Sequence, residues 1–137
     1  MAGHEHPNAD LVRHGYQAFV AGDMQWLNEH LSENVEWHNP GNNAFSGTIK
    51  GREEVLAYFA NSVQKVLPEI EVHDVLANDT HAVGILTVRS VRQDNQQSRE
   101  DKAVQVFHID ADGQAIESWF LVEDLAGYDA FMEGVTL

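Results

Sequence analysis

Apolar residues recur three and four apart from about Asn8 to Ala21. Val12, Tyr16, Phe19 and Val20 fall on one stripe, and Gly22 supplies a stop. Asp23 is placed to cap a second, shorter helix carrying Met24, Leu27 and Leu31. Val35 to Asn39 reads as a short strand closed by Pro40-Gly41, followed by a loop from Asn42 to Lys50 that holds Phe45. A third helix is predicted from near Gly51, with Glu53 and Glu54 in its first turn, where negative charge suits the helix dipole. Val55, Phe59, Val63 and Val66 recur along it at helical spacing, and Pro68 is expected to end it.

Beyond Pro68 the period changes to two. Residues 70–77, 82–92, 102–109 and 115–122 read as strands. Asn78-Asp79, a polar loop around Asp94-Asn95, and Asp112-Gly113 supply the turns. Helices first and a meander afterwards imply an α+β fold, with the helices on one face of an antiparallel sheet. In AVGILTV and AVQVFHI both alternating faces are largely apolar, so these strands call for cover on both sides. Three helices cover one face only. A homodimer through the outer sheet face is therefore expected, the alternative being a face merely rich in valine and left in water.

Composition narrows the field. The 137 residues suit a single domain over 8–137, behind a flexible polar head over 1–7. There is no cysteine, which removes disulfides, thiolate metal sites and a cysteine nucleophile. The net charge of −14 leaves no basic stripe for nucleic acid and disfavours an anionic membrane surface. No stretch approaches the roughly eighteen apolar residues of a membrane span. The start, MAGHEHPNAD, lacks the basic and apolar runs of a secretory signal, so a cytoplasmic location is expected. No cofactor and no metal site are expected. His4 and His6 have no third ligand nearby, and His73, His81 and His108 share no ligand spacing.

Four stretches carry a resemblance: AFVAGD, VEWHNPG, SGTIKGREEVLAYF and DGQAIESWFLVEDLAGYDAF. In this order they resemble the SnoaL-like branch of the NTF2-like superfamily over nearly the whole chain. The resemblance implies a cone, in which a curved antiparallel sheet wraps against three N-terminal helices around an internal cavity. It also implies activities from ketosteroid isomerases through limonene-epoxide hydrolases and polyketide cyclases to plain ligand carriers. The catalytic positions it implies are largely replaced. Where the isomerases keep a base before the strand-ending proline, this chain has Asn39. Their tyrosine falls at Gly15, beside Tyr16, and their protonated aspartate at Gln105. The cyclase aspartate and histidine fall at Phe120 and Ser118. Of the five epoxide-hydrolase groups only the asparagine, Asn39, is kept. Trp37, Thr87, Arg89 and Phe120 stand at the other four.

A hairpin centred near Asn95 would set Arg89 opposite Asp101 and Thr87 opposite Ala103. Alternation would then line the cavity with Val83, Ile85, Thr87, Arg89, Asp101, Gln105 and Phe107, together with Trp37, Asn39, Ser118 and Phe120. Tyr16 and Phe59 would join this wall from the helices. Arg89 and Asp101 read either as a cross-strand ion pair or as working groups. If Asp101 does not pair with it, Arg89 is free for a carboxylate or enolate. His38 is the neutral-pH acid–base group of VEWHNPG. Alternation turns it outward with Glu36, unless the proline swings it to the cavity mouth. The candidate catalytic set is Asn39, Arg89, Asp101 and His38. Asn39 would orient water or a carbonyl, Arg89 and Gln105 would steady negative charge, and His38 or Asp101 would be the base. The expected function is an internal pocket for a small apolar molecule, in an isomerase, hydrolase or cyclase. The alternative is a ligand-binding or accessory protein without chemistry.

Overall fold

The computed structural model describes residues 5–137. The polar head falls partly on residues 1–4, His4 among them, which lie outside the described residues. Helix α1 spans Pro7–Ala21, and the His6 ring at its start accepts from the Asn8 amide. Gly22 closes it in the left-handed conformation (φ 71°), its N–H returned to the carbonyls of Ala18 and Phe19. Helix α2 covers Met24–His30 and is capped by the Asp23 carboxylate, which accepts from the Trp26 N–H at 3.1 Å. The elements that follow are β1 (Leu31–Asn39), β2 (Gly47–Lys50), α3 (Arg52–Lys65), β3 (Val66–Ala77), β4 (His81–Arg92), β5 (Ser98–Ile109), β6 (Ala115–Val122) and α4 (Leu125–Met132).

The fold is α+β, a curved six-stranded sheet with four helices, in the strand order β2-β1-β6-β5-β4-β3. All neighbours are antiparallel except β1 and β6, which run parallel. Register shifts between Val72 and Asp74 and between His108 and Ile109 bend the strands. Helices α1 and α3 lie across the inner face, where Val12, Tyr16, Val35, Val55, Phe59, Leu86 and Phe107 are buried. No helix among the described residues is long and apolar enough to cross a membrane.

Several local expectations change. Leu31 begins β1 rather than ending α2, and Val66 begins β3 rather than ending α3. Pro68 does not stop a helix. It sits inside β3, a sheet edge, where a missing N–H costs no interior ladder bond. Val20, placed on the α1 stripe by spacing, is 60% exposed. The expected loop over 42–50 contains β2, paired with β1 through Trp37 and Ile49. Helix α4 had no counterpart in the sequence reading.

One difference governs the site. The β4–β5 hairpin pairs Val88 with Asp101 and Arg89 with Glu100, one residue away from the expected register. The turn explains the slip. Gln96 takes a positive φ of 60° and donates its N–H to the Arg92 carbonyl, while Arg92 N–H donates to Gln97 O. The Arg92 guanidinium is also clamped on the Asp94 carboxylate at 2.9 and 2.6 Å. A one-residue slip exchanges the two faces of a strand. Ala82, Gly84, Leu86, Val88 and Ser90 therefore face inward, and Val83, Ile85, Thr87 and Arg89 face outward.

Gly84 has a steric task in this register. A Cβ on it would stand 2.5 Å from the Tyr16 hydroxyl and 3.1 Å from its ring. Tyr16 comes this close because it donates to Gln105 Oε1 at 3.0 Å, and Gln105 is the β5 partner of Gly84. Gly84→Ala is expected to lower stability by about 1–3 kcal/mol through overpacking. Denaturant unfolding checks this, and Tyr16→Phe should recover part of the loss by removing the obstructing oxygen.

Candidate functional site

The inner sheet face, α1, α2, α3 and α4 enclose a cavity of about 210 Å³. Its walls are aromatic, and the rings meet edge to face. Phe19 meets Phe59 at 5.3 Å, Phe59 meets Trp37 at 5.0 Å, Trp37 meets Phe107 at 6.0 Å and Phe107 meets Tyr16 at 6.1 Å. Such contacts fix ring orientation beyond simple burial. Leu86, Val88 and Phe120 continue the wall.

Polar groups form two sets. In the first, Tyr16 Oη donates to Gln105 Oε1, and Gln105 Nε2 donates to Ser118 Oγ at 3.0 Å. All three are buried, Ser118 completely. Burial also drives the Tyr16 phenol well above its ordinary pKa, so it stays a neutral donor. This set is occupied with itself.

The second set is built around Asp101, whose residue is only 6% exposed. Its carboxylate accepts from Arg99 Nε at 2.8 Å, and Arg99 also reaches Asp124 at 3.0 Å. Burial pushes the Asp101 carboxyl above its usual range, against the opposing pull of Arg99. Tyr128, on α4, lies near enough to feel the Asp101 charge. Burial first, then Asp101 and Asp129, push its phenol up to about 12. Burial likewise raises the pKa of Tyr58, and the Asn39 amide, which approaches the phenol without reaching hydrogen-bond geometry, pulls it the other way. Asn39 Nδ2 is buried yet has no hydrogen-bond partner among the described residues. A buried donor left unmade is costly, on the order of 1–3 kcal/mol. Asn39, Tyr58, Tyr128 and Asp101 all line the cavity, so it holds both a buried amide donor and an acid with a raised pKa.

Helix α4 brings Tyr128 there. Asp124 caps it by accepting from Gly127 N–H at 3.0 Å. Arg92 donates to the carbonyls of Phe131 and Glu133 at 2.8 and 2.6 Å. Asp129 accepts from Asn42 N–H and Asn43 Nδ2 at 3.0 and 2.7 Å, tying the helix to the loop after β1. Phe45, Val66 and Met132 form a small separate core beneath.

Of the expected site residues, Tyr16, Trp37, Asn39, Phe59, Asp101, Gln105, Phe107 and Phe120 line the cavity. Ser118 lies behind Gln105. Ile85, Thr87 and Arg89 do not, because the hairpin register turns them outward. Arg89 is engaged by Glu69, Glu71 and Glu100 at 3.3, 3.1 and 2.9 Å, so it is neither the partner of Asp101 nor free for a ligand. Thr87 Oγ1 is held by His73 and Lys102 at 2.6 and 2.8 Å. His38 is not swung to the mouth. It stays on the outer face, bonded to Thr48 and Glu117. The sequence reading missed Arg99, Tyr58 and Tyr128. Two signals were available: Arg99 stands two residues from Asp101, so on the same strand face. Tyr128 also follows an Asp cap at helical spacing with Leu125 and Met132.

The SnoaL-like domain family matches residues 12–118. The chain belongs to that family. Among solved structures this SnoaL-like protein is similar to Bal32a from a soil-derived mobile gene cassette, at 31% identity and TM-score 0.84, over 92% of this chain and 96% of that one. A putative SnoaL-like polyketide cyclase from Shewanella denitrificans OS-217 superposes with TM-score 0.75 at 13% identity, covering 92% and 98%. An LEH-like epoxide hydrolase of M. tuberculosis gives 0.73 at 16%, covering 90% and 86%. The last two likenesses show the fold. An uncharacterised protein of Mycobacterium tuberculosis (strain ATCC 25618 / H37Rv) is 29% identical over 86 residues, which is 61% of this chain and 66% of that protein.

The raised pKa of Asp101 has a consequence for stability. A carboxyl whose folded pKa exceeds its unfolded one favours folding at low pH, and that contribution is lost as pH rises through the folded value. Asp101→Asn mimics the protonated form and keeps an acceptor for Arg99. Relative to wild type it is expected to gain stability at pH 7 and to lose that advantage as pH falls toward 4. Urea unfolding across this range checks it. An advantage that grows on acidification would contradict the assignment.

Proposed function

We propose that this SnoaL-like protein takes a small, mostly apolar molecule with one exposed oxygen acceptor into the cavity, as an isomerase, hydrolase or cyclase. The observation that carries the reading is the buried, unpartnered Nδ2 of Asn39 on a largely apolar wall. A ligand carbonyl or ether oxygen there would satisfy it. Asp101 is the acid–base group, since burial raises its pKa above that of an ordinary carboxyl while Arg99 holds it in place. Tyr58 and Tyr128 stay protonated and serve as further donors for developing negative charge. Arg99, the arginine paired with Asp101, is already shared between two carboxylates, so a neutral ligand suits the cavity better than an anion.

A second reading, a carrier without chemistry, is favoured by one observation. Asp101, Gln105, Tyr16 and Ser118 all have partners within the protein, so the lining carboxylate and the buried polar triad are already engaged.

Calorimetry with a neutral alicyclic ketone and the hydrocarbon of the same shape tests the shared claim. Wild type is expected to bind the ketone at least about tenfold more tightly, as one extra buried hydrogen bond allows. Asn39→Leu should erase that preference and leave hydrocarbon binding intact. Equal binding of the two by wild type would sink the reading. Turnover of the bound compound that disappears in Asp101→Asn separates enzyme from carrier.

The proposal includes a homodimer through the outer sheet face. Leu67, Leu76, Ile85 and Leu121 are exposed there, with Val104 and Val106 half-buried between them. Sedimentation is expected to give a dimer that Ile85→Glu with Leu121→Glu converts to a folded monomer. A wild-type chain that stays monomeric at high concentration would rule this out.

A further inference from the structure

We infer that Glu36, His38 and Glu117, on the outer face of the sheet, form a binding site for a divalent cation of the zinc class. The site is separate from the cavity and does not depend on what the cavity binds. Sequence alone suggested no metal site, because Glu117 lies 79 positions beyond His38. Only the parallel pairing of β1 with β6 brings them together.

That pairing sets Glu36 directly beside Glu117 and His38 beside Trp119. Two carboxylates in register on one face repel, and such pairs usually recruit a basic neighbour. None does so here. Lys50 is the β2 partner of Glu36, yet neither glutamate forms an ion pair with a lysine or arginine among the described residues. The one group that meets them is His38, whose Nε2 lies 2.6 Å from Glu117 Oε2. One donor atom from each residue falls within 4.8 Å of the other two, and all three residues are half-buried.

The histidine is already held as a ligand would need. Its Nδ1 is 2.7 Å from Thr48 Oγ1, and its ring stacks on Trp119 with centroids 5.6 Å apart and planes 22° from parallel. With a cation on Nε2, the proton sits on Nδ1 and is donated to Thr48, the outer contact that orients most metal-bound imidazoles. Zinc bonds to nitrogen and carboxylate oxygen are about 2.0–2.2 Å, so ligand atoms at tetrahedral angles stand roughly 3.3–3.6 Å apart. The His38–Glu117 contact must widen by about 1 Å and the longer separations must close by a similar amount. Glutamate side-chain rotation on fixed strands is enough for that. One imidazole and two carboxylates, with no sulfur, suit zinc or manganese better than copper(I), and the imidazole disfavours calcium and magnesium. The chain supplies three ligands, and water would take the fourth position.

Calorimetric titration of the full chain with Zn²⁺ tests this. The background is His4→Gln with His6→Gln, so that the N-terminal histidines do not contribute. The expected result is one Zn²⁺ per chain, weakened at least tenfold by Glu36→Gln and by Glu117→Gln and unchanged by His81→Ala. The last variant removes the stacked His81–His108 pair, the nearest rival site. Imidazole nitrogen NMR should show His38 Nε2, and no other ring nitrogen, shifting on saturation. Absence of stoichiometric binding, equal affinity in Glu36→Gln, or loss only in His81→Ala would overturn the assignment.

Discussion

The register of the β4–β5 hairpin decides which chemistry the cavity contains. Val88 pairs with Asp101 because the turn from Gln93 to Gln96 closes on Arg92 and Gln97. The inward set on β4 is then small or apolar from Ala82 to Ser90, and the charged set is left to solvent. Moving the pairing by one residue would turn Arg89 and Thr87 into the cavity and Leu86 out of it. It would also deny Tyr16 the space over Gly84 from which it reaches Gln105. The aromatic ring sequence, the polar triad behind it and the setting of Asp101 all follow from this pairing.

The two faces of the sheet carry different chemistry as a result. Inside, the charges are few and each is restrained: Asp101 by Arg99, and Arg99 by Asp124. Low polarity makes any unpaired group there costly, which is why the open amide of Asn39 matters. Outside, charges are numerous. Arg89 among three glutamates is a solvated cluster of the kind that contributes little stability per pair. Glu36 beside Glu117 is different, because both are half-buried and no lysine or arginine among the described residues offsets them.

The α+β class, five of the six strands and the helix α1 stop at Gly22 were legible in the sequence, because period and turn chemistry are local signals. The inward direction of Trp37 and Asn39 was legible too, since Pro40 ends β1 and leaves alternation little room to drift. What stayed hidden depends on non-local geometry. The hairpin register turns on the positive φ of one glutamine, Gln96, a residue type that rarely announces such a conformation. Pro68 misled because a proline in an edge strand looks like a helix stop when the edge is unknown. The partner of Asp101 was taken across the strand, and it lies two residues away on the same strand. The Glu36–His38–Glu117 cluster needs a parallel contact that no sequence spacing records.

The register itself is the claim on which the site rests, and cross-strand nuclear Overhauser effects measure it directly. The account predicts backbone contacts linking Val88 to Asp101 and Arg89 to Glu100, with Val88 methyl protons close to cavity side chains. Contacts linking Arg89 to Asp101 and Thr87 to Ala103 would contradict it, and would return Arg89 to the cavity and Val88 to solvent.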